Sequence, residues 1–139
     1  MDEPIQPPGL PTPSAAFSHG FASGDLIFVA GEIAQGQDGV IVGKGDVPTQ
    51  TRQVLRNIEA ILRAAGATLD DVVSTTVYLA SFDGYADYDR AYAEAFGDHR
   101  PARATVRAEL VRPEALIEIQ AIARKRSAHP DSGPPPDNG

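Results

Sequence analysis

The sequence predicts an α+β domain in which two amphipathic helices cover one face of a single mixed β-sheet. Two observations predict this class. Short β-prone runs and stretches with helical periodicity alternate along the chain in the order strands, helix, strand, helix, strand, strand. The chain has 139 residues, 42% hydrophobic and 22% charged, which suits one hydrophobic core of ordinary size and composition.

The first part of this pattern is a hairpin followed by a helix. Residues 17–22 and 26–30 are β-prone runs, and the turn-forming residues 23–25 (Ser-Gly-Asp) separate them. From about residue 49 to residue 65, apolar side chains recur at helical spacing. Gly66 then supplies a stop signal, so the sequence predicts a helix that ends there.

The second part contains a strand, a helix and two more strands. Residues 72–80 are rich in valine and threonine, and residues 85–96 carry a tyrosine-rich helical stripe. Two further strand-like runs, residues 104–110 and 116–123, complete the pattern. Because apolar residues occupy both faces of two of these strands and the two helices cover one face only, we expect the chain to form a homo-oligomer through the open face.

The two ends of the chain differ from the middle. Residues 1–14 contain five of the twelve prolines, and residues 127–139 are also rich in proline and poor in apolar side chains. Such segments bury too little surface to offset the entropy of ordering them. We therefore expect a proline-rich N-terminal segment (1–14) that is extended and partly docked, a folded domain (15–126) and a disordered tail (127–139).

The composition argues against several function classes. The net charge is −7, which is unfavourable for binding nucleic acid. There is no cysteine, and the three histidines have no metal-ligand spacing, so we expect no metal site. No stretch approaches the length of a transmembrane helix and no signal peptide is apparent, so a cytoplasmic location without nucleic-acid or membrane partners is expected.

Two charged residues stand beside or inside predicted strands, namely Arg103 and Glu118. Burying an unpaired ion costs several kcal/mol, so such residues are either structural ions, paired with each other or with neighbours, or functional groups. The planar guanidinium of arginine suits a small carboxylate ligand. Glu118 lies between two isoleucines, and burial there would raise its pKa, allowing it to hold a water as a general base. The pair suggests hydrolysis of a small electrophile that carries a carboxylate.

At these residues the chain resembles the RidA family, also called YjgF/YER057c/UK114. The resemblance extends over most of residues 17–124. The matching segments are residues 26–33 (Leu-Ile-Phe-Val-Ala-Gly-Glu-Ile), 50–58 (Gln-Thr-Arg-Gln-Val-Leu-Arg-Asn-Ile), 64–73 (Ala-Ala-Gly-Ala-Thr-Leu-Asp-Asp-Val-Val), 100–106 (Arg-Pro-Ala-Arg-Ala-Thr-Val) and 117–119 (Ile-Glu-Ile).

This resemblance implies a chorismate-mutase-like homotrimer with three clefts between subunits. It also implies an enamine/imine deaminase, which hydrolyses reactive 2-imino or enamine acids to 2-keto acids and ammonia without a metal or cofactor. By the same resemblance, Arg103 holds the substrate carboxylate and Glu118 positions the attacking water. A backbone amide near Thr105 orients the substrate, and Gly31 lines the cleft.

The chain departs from the family pattern at several of these positions. Phe17 stands where the family often has tyrosine, so one phenolic hydroxyl that would bond substrate or water is missing, and Phe17 itself would line the substrate site. Ala30 and Glu32 replace the common serine and glutamine, and Gln120 replaces a second acidic residue. A lost hydrogen bond to a charged group corresponds to about one to two decades in rate. Two alternatives therefore stay open: a non-catalytic module that binds small carboxylates or partner proteins, and a pathway-specific deaminase of a larger enamine acid.

Overall fold

The computed structural model describes residues 2–126, which form two helices packed on one six-stranded mixed sheet. This confirms the predicted fold class and the predicted order of elements. The predicted disordered tail lies outside the described residues. The strands are β1 (Glu3–Ile5), β2 (Gly20–Ser23), β3 (Leu26–Glu32), β4 (Val72–Leu79), β5 (Ala102–Arg107) and β6 (Ile117–Arg124), and the helices are α1 (Val47–Ala64) and α2 (Tyr85–Phe96).

The sheet has the strand order β1-β2-β3-β6-β4-β5. The neighbouring strands β4 and β5 run parallel to each other. Helix α2 makes the crossover between these two strands, as a parallel connection requires. Strands β2 and β3 form the predicted hairpin, whose turn places Gly24 at φ 61°. β2 begins at Gly20, three residues later than predicted. Gly20 pairs with Val29, and β3 bulges directly after Val29, so the pairing of the two strands does not extend further.

The hydrophobic core lies between the helices and one face of the sheet. Helix α1 begins two residues earlier than predicted, because Asp46 caps it by accepting a hydrogen bond from the backbone N–H of Thr49 and a proline fits its first turn. No helix within residues 2–126 is both long and apolar enough to cross a bilayer. The side chains that the helices and sheet bury against each other include Val54, Leu55, Ile58, Ile61, Leu62, Ile27, Val29, Val77, Leu79, Ile117 and Ile119.

The N-terminal segment is docked on the domain. Strand β1 pairs with β2 at the edge of the sheet, and Ile5 and Leu10 are buried in the common core. The residues that follow Leu10 run past the bulged end of β3, at Ala30–Glu32. The segment therefore supplies one wall of the groove described below.

The second face of the sheet is apolar and carries no helix. Phe21, Phe28 and Ile122 form a row across β2, β3 and β6, and the two phenylalanines are 43% and 41% exposed. Val73 and Val106 extend this surface onto β4 and β5. An apolar face of this kind on a single chain is typical of an interaction surface.

Gln50 fixes the loop regions on either side of the groove. This side chain is fully buried on α1. Its amide nitrogen donates to the carbonyl oxygens of Gly43 and Glu114 at 3.1 and 3.0 Å, and its amide oxygen accepts from the backbone N–H of Leu116 at 2.8 Å. One helix residue thus satisfies backbone groups from two distant loops.

Replacing Gln50 by leucine should lower the free energy of unfolding by about 2–4 kcal/mol, because buried backbone donors and acceptors lose their partners. Arg56→Leu, on the exposed side of the same helix, should change it by less than about 0.5 kcal/mol. Urea denaturation of both variants measures the difference. Equal stability of the two variants would contradict this role of Gln50.

Candidate active site

A groove of about 860 Å³ opens where β3 and β6 meet the N-terminal segment. We call it the Glu118 groove. It is of the size that small-molecule sites usually have. Its walls are formed by Pro11, Thr12, Pro13, Ser14, Ala15, Phe17, His19, Ala30, Gly31, Glu32, Ile33, Gln35, Gly39, Val111, Arg112, Glu118 and Gln120.

A β-bulge in β3 shapes the floor of the groove. Val29 pairs with Ala121 and Glu32 pairs with Ile119, so two residues of β3, Ala30 and Gly31, lie opposite the single residue Gln120 of β6. A bulge of this type breaks the alternation of the strand and re-aims its side chains. As a result, Glu32 turns into the interior while the backbone of Gly31 faces β6.

Glu118 projects from β6 into the groove, between the buried residues Ile117 and Ile119. Its carboxylate lies against the backbone of Gly31. A Cβ atom at residue 31 would overlap Oε2 of Glu118 and would lie 2.9 Å from its Cδ. Glycine at this position therefore leaves the space that the carboxylate occupies.

The environment of Glu118 favours its neutral form. Burial raises the pKa of this carboxyl above its ordinary value of 4.5, and no charged or hydrogen-bonding group within residues 2–126 opposes the shift. The predicted direction of the shift is confirmed. A carboxyl with a raised pKa in a groove is better suited than an ordinary one to accept a proton and return it.

His19 and Glu32 form a buried pair behind Glu118. His19 Nδ1 lies 3.0 Å from Glu32 Oε2, and His19 Nε2 lies 2.8 Å from the carbonyl oxygen of Pro11. A carbonyl can only accept, so Nε2 carries a hydrogen. If Nδ1 carried no hydrogen, its lone pair would face the carboxylate of Glu32 and the two would repel. One proton therefore lies between the two side chains. The pair is therefore net neutral, and it ties the N-terminal wall of the groove to β3.

The pKa values of the pair agree with a shared proton. The hydrogen bond to the carboxylate of Glu32 raises the pKa of His19 by more than desolvation lowers it. Desolvation raises the pKa of Glu32, partly offset by the hydrogen bond to His19, and the charge of Glu118 adds to the increase. Glu32 Oε1 is buried without a hydrogen-bond partner among residues 2–126, which adds to the cost of ionising this group.

Arg103 lies on the other side of the sheet, against α2. Its Nη1 donates to Asp89 Oδ1 at 2.9 Å and its Nη2 donates to the hydroxyl of Tyr85 at 2.9 Å. The guanidinium carbon is 4.9 Å and 4.8 Å from the ring centroids of Tyr88 and Tyr92. The tyrosines of α2 pack in the core as the sequence predicted. Their rings also contact the guanidinium of Arg103 in cation–π geometry, which the sequence did not predict.

The five predicted site residues fall into two groups. Glu118, Gly31 and Phe17 line the Glu118 groove. Thr105, whose hydroxyl lies 2.7 Å from the hydroxyl of Tyr88, shares the α2 side of β5 with Arg103. Within one chain, the predicted carboxylate clamp and the predicted water-holding group are therefore on opposite faces of the sheet.

Two features of the groove were not among the predicted site residues. The His19–Glu32 pair could not be read from the strands, since the two residues are distant in sequence and meet through the bulge. Arg112 comes from the loop between β5 and β6, which has no periodic pattern. No cluster of three or more histidine, aspartate or glutamate side chains within residues 2–126 is arranged to hold a metal ion.

The fold and the groove define a small α+β protein whose candidate site is built on a bulged strand of a two-layer domain. A family model described as Endoribonuclease L-PSP matches residues 9–125. The chain belongs to this family, which is also known as the YjgF/YER057c/UK114 or Rid family. The resemblance found in the sequence is thereby confirmed.

Similar proteins cover nearly the whole domain. A RutC family protein from Pyrococcus horikoshii is 44% identical over 126 residues, which are 90% of this chain and 99% of the relative. The crystal structure of the Escherichia coli YjgF gene product superposes with a TM-score of 0.82 at 31% identity, covering 89% of this chain and 99% of that chain. E. coli TdcF with bound serine superposes with the same TM-score of 0.82 at 28% identity, covering 88% and 98%.

The His19–Glu32 pair should make stability depend on pH. The folded pair holds one proton, whereas the unfolded groups, with ordinary pKa values of 6.5 and 4.5, hold none well above pH 6.5. The free energy of unfolding should therefore fall as pH rises from 6.5 through the folded pKa, by up to about 1.4 kcal/mol per pH unit from this pair.

Glu32→Gln is the matched control, because its amide can donate to a neutral His19 without the shared proton. Urea denaturation at several pH values between 6 and 9 should give a smaller slope for this variant than for the wild type. Identical pH slopes for the two proteins would rule out a shared proton in the pair.

Proposed function

We propose that this protein is a hydrolytic deaminase that converts reactive 2-imino or enamine acids to 2-keto acids and ammonia. The observation that carries the proposal is the placement of Glu118, whose carboxyl has a raised pKa and faces a groove of small-molecule size. Family membership supports the same reaction class through the resemblance of Arg103, Glu118 and Gly31 to the family pattern. The proposed location is the cytoplasm.

The reaction adds water across the carbon–nitrogen double bond. Glu118 accepts a proton from the water as its oxygen bonds to the imine carbon, and it then returns the proton to the nitrogen. The resulting carbinolamine loses ammonia as its hydroxyl becomes the keto oxygen. One water is consumed and one ammonia is released, so the reaction calls for no metal, cofactor or covalent enzyme intermediate.

We further propose that each site is completed by a second copy of the chain, in a homotrimer with clefts between subunits. Glu118 and Arg103 lie on opposite faces of the sheet in one chain, so they can act on one substrate only across an interface. The uncovered apolar row that includes Phe21 and Phe28 offers a surface for such an interface. Arg103 keeps 21% of its side chain exposed, and Asp89 and Tyr85 fix its orientation.

Substrate recognition would then combine groups from two copies. Arg103 of one copy binds the carboxylate in a forked arrangement, with the backbone amide near Thr105 beside it. Glu118, Gly31 and Phe17 of the next copy contact the reacting end. The bound serine in TdcF, a small amino acid with a carboxylate, is compatible with a substrate of this class.

The description of the family model suggests an endoribonuclease as an alternative. A net charge of −7 disfavours binding of the phosphodiester backbone. His19 is buried and committed to Glu32 and Pro11, so it is not available as a general base for a ribose hydroxyl. The groove thus favours a small acid over a polynucleotide.

Complementation between two inactive variants tests the reaction and the shared site together. An amino-acid oxidase generates 2-imino acids in situ, and semicarbazide traps what the protein does not hydrolyse. Arg103→Ala and Glu118→Gln should each lower the rate about 100-fold or more. Co-expression of the two variants should restore about one quarter of the wild-type activity, because a random pairing of copies in a symmetric oligomer leaves that share of clefts intact.

The matched control is Arg90→Ala, an arginine on α2 that forms an exposed ion pair with Asp87 and should leave the rate unchanged. Wild-type activity in Arg103→Ala or Glu118→Gln would contradict the assigned roles. Inactive variants that fail to complement each other would contradict a site shared between copies. A wild-type protein that binds 2-keto acids but hydrolyses no imine would favour the non-catalytic binding module.

A further inference from the structure

The Glu118 groove contains a guanidinium that the proposed reaction does not use. Arg112, in the loop between β5 and β6, lines the same cavity as Glu118, Gly31 and Phe17. The buried side chain of Gln50 fixes this loop, because it donates to the carbonyl oxygen of Glu114 and accepts from the backbone N–H of Leu116. Arg112 is therefore held at the wall of the groove by an ordered loop.

Arg112 has donors to spare. Within residues 2–126 its guanidinium makes one hydrogen bond, from Nη1 to the carbonyl oxygen of Gly39 at 3.1 Å. The carboxylate of Glu114 lies 3.9 Å from Nε, which is too far for a hydrogen bond. Arg103 makes two such bonds, to Asp89 and Tyr85, and keeps three N–H donors for the substrate carboxylate in the proposed reaction.

The carboxylate of Glu114, 3.9 Å from Nε, offsets part of the charge of Arg112, and few of the residues that line the groove carry a negative charge. The His19–Glu32 pair shares one proton and is net neutral, and Gln120 carries no charge. Glu118 is the remaining carboxylate among the residues that line the groove. A permanently charged guanidinium in such a groove favours an anionic ligand group.

We propose that Arg112 binds a second anionic group of the substrate, so that the preferred substrates are 2-imino acids with a carboxylate in the side chain. This inference rests on the proposed function for the reaction itself. The first carboxylate is held by Arg103 of a neighbouring copy and the second by Arg112 of the chain that supplies Glu118. The reacting carbon lies between them. A groove of about 860 Å³ has room for such a dicarboxylic acid.

The test compares two imino acids of equal chain length. Glutamate and norvaline, each oxidised in situ by an amino-acid oxidase, give a five-carbon imino diacid and a five-carbon imino monoacid. The wild type should have the higher kcat/KM for the diacid. Arg112→Gln should lower the ratio of diacid to monoacid kcat/KM about 10- to 100-fold, and Arg112→Lys, which keeps the charge but loses the fork, should lower it less.

The control is Arg63→Gln, which removes an arginine from an exposed ion pair with Glu59 on α1 and should leave the ratio unchanged. An equal loss for both substrates in Arg112→Gln would overturn the inference, as would a wild type without preference for the diacid.

A binding measurement separates failure of this inference from failure of the proposed function. If no imine is hydrolysed, the reaction is wrong, but 2-oxoglutarate and 2-oxopentanoate can still be titrated into the protein by calorimetry. Tighter binding of 2-oxoglutarate by the wild type, lost in Arg112→Gln, would support the second anion site. Equal or absent binding of the two acids would overturn it.

Discussion

The contact between the Glu118 carboxylate and the backbone of Gly31 is the constraint on which the candidate site depends. It exists because β3 bulges opposite Gln120 and because glycine leaves room for the carboxylate. The same bulge turns Glu32 inward to share a proton with His19. The bulge thus places the Glu118 carboxyl where it is partly shielded from water. It also brings Glu32 to His19, which binds the N-terminal wall of the groove through Pro11.

The sheet separates the groups that the proposed chemistry needs. Arg103 lies on the helix-covered side of the sheet, in contact with the rings of Tyr88 and Tyr92. Glu118 lies on the open side. This arrangement keeps Arg103, which pairs with Asp89, from pairing with Glu118 within one chain. The apolar surface that a single chain leaves exposed lies on the same face as Glu118, so the reaction we propose would depend on association of copies. The function we propose therefore belongs to an assembly of copies.

The sequence was sufficient to predict the two-layer fold, since helical and strand periodicities alternate clearly and Gly66 marks the end of the first helix. It also singled out Arg103 and Glu118 as candidate site residues, because charges in apolar strands are conspicuous. It could not place them on opposite faces, since that depends on strand register and on the bulge, and a shift of one residue reverses every side chain. The His19–Glu32 pair depends on the same bulge. Arg112 was missed because a loop has no period from which its direction can be inferred.

The most direct test of this account is the carboxyl pKa of Glu118, followed by carbon-13 NMR as pH is varied. The account predicts a midpoint above the ordinary 4.5 in the wild type, because the carboxyl is desolvated against Gly31. In Gly31→Ala the added methyl group pushes the carboxyl toward solvent, so its midpoint should move back toward 4.5. A wild-type midpoint at or below the ordinary value, or the same midpoint in both proteins, would contradict the account.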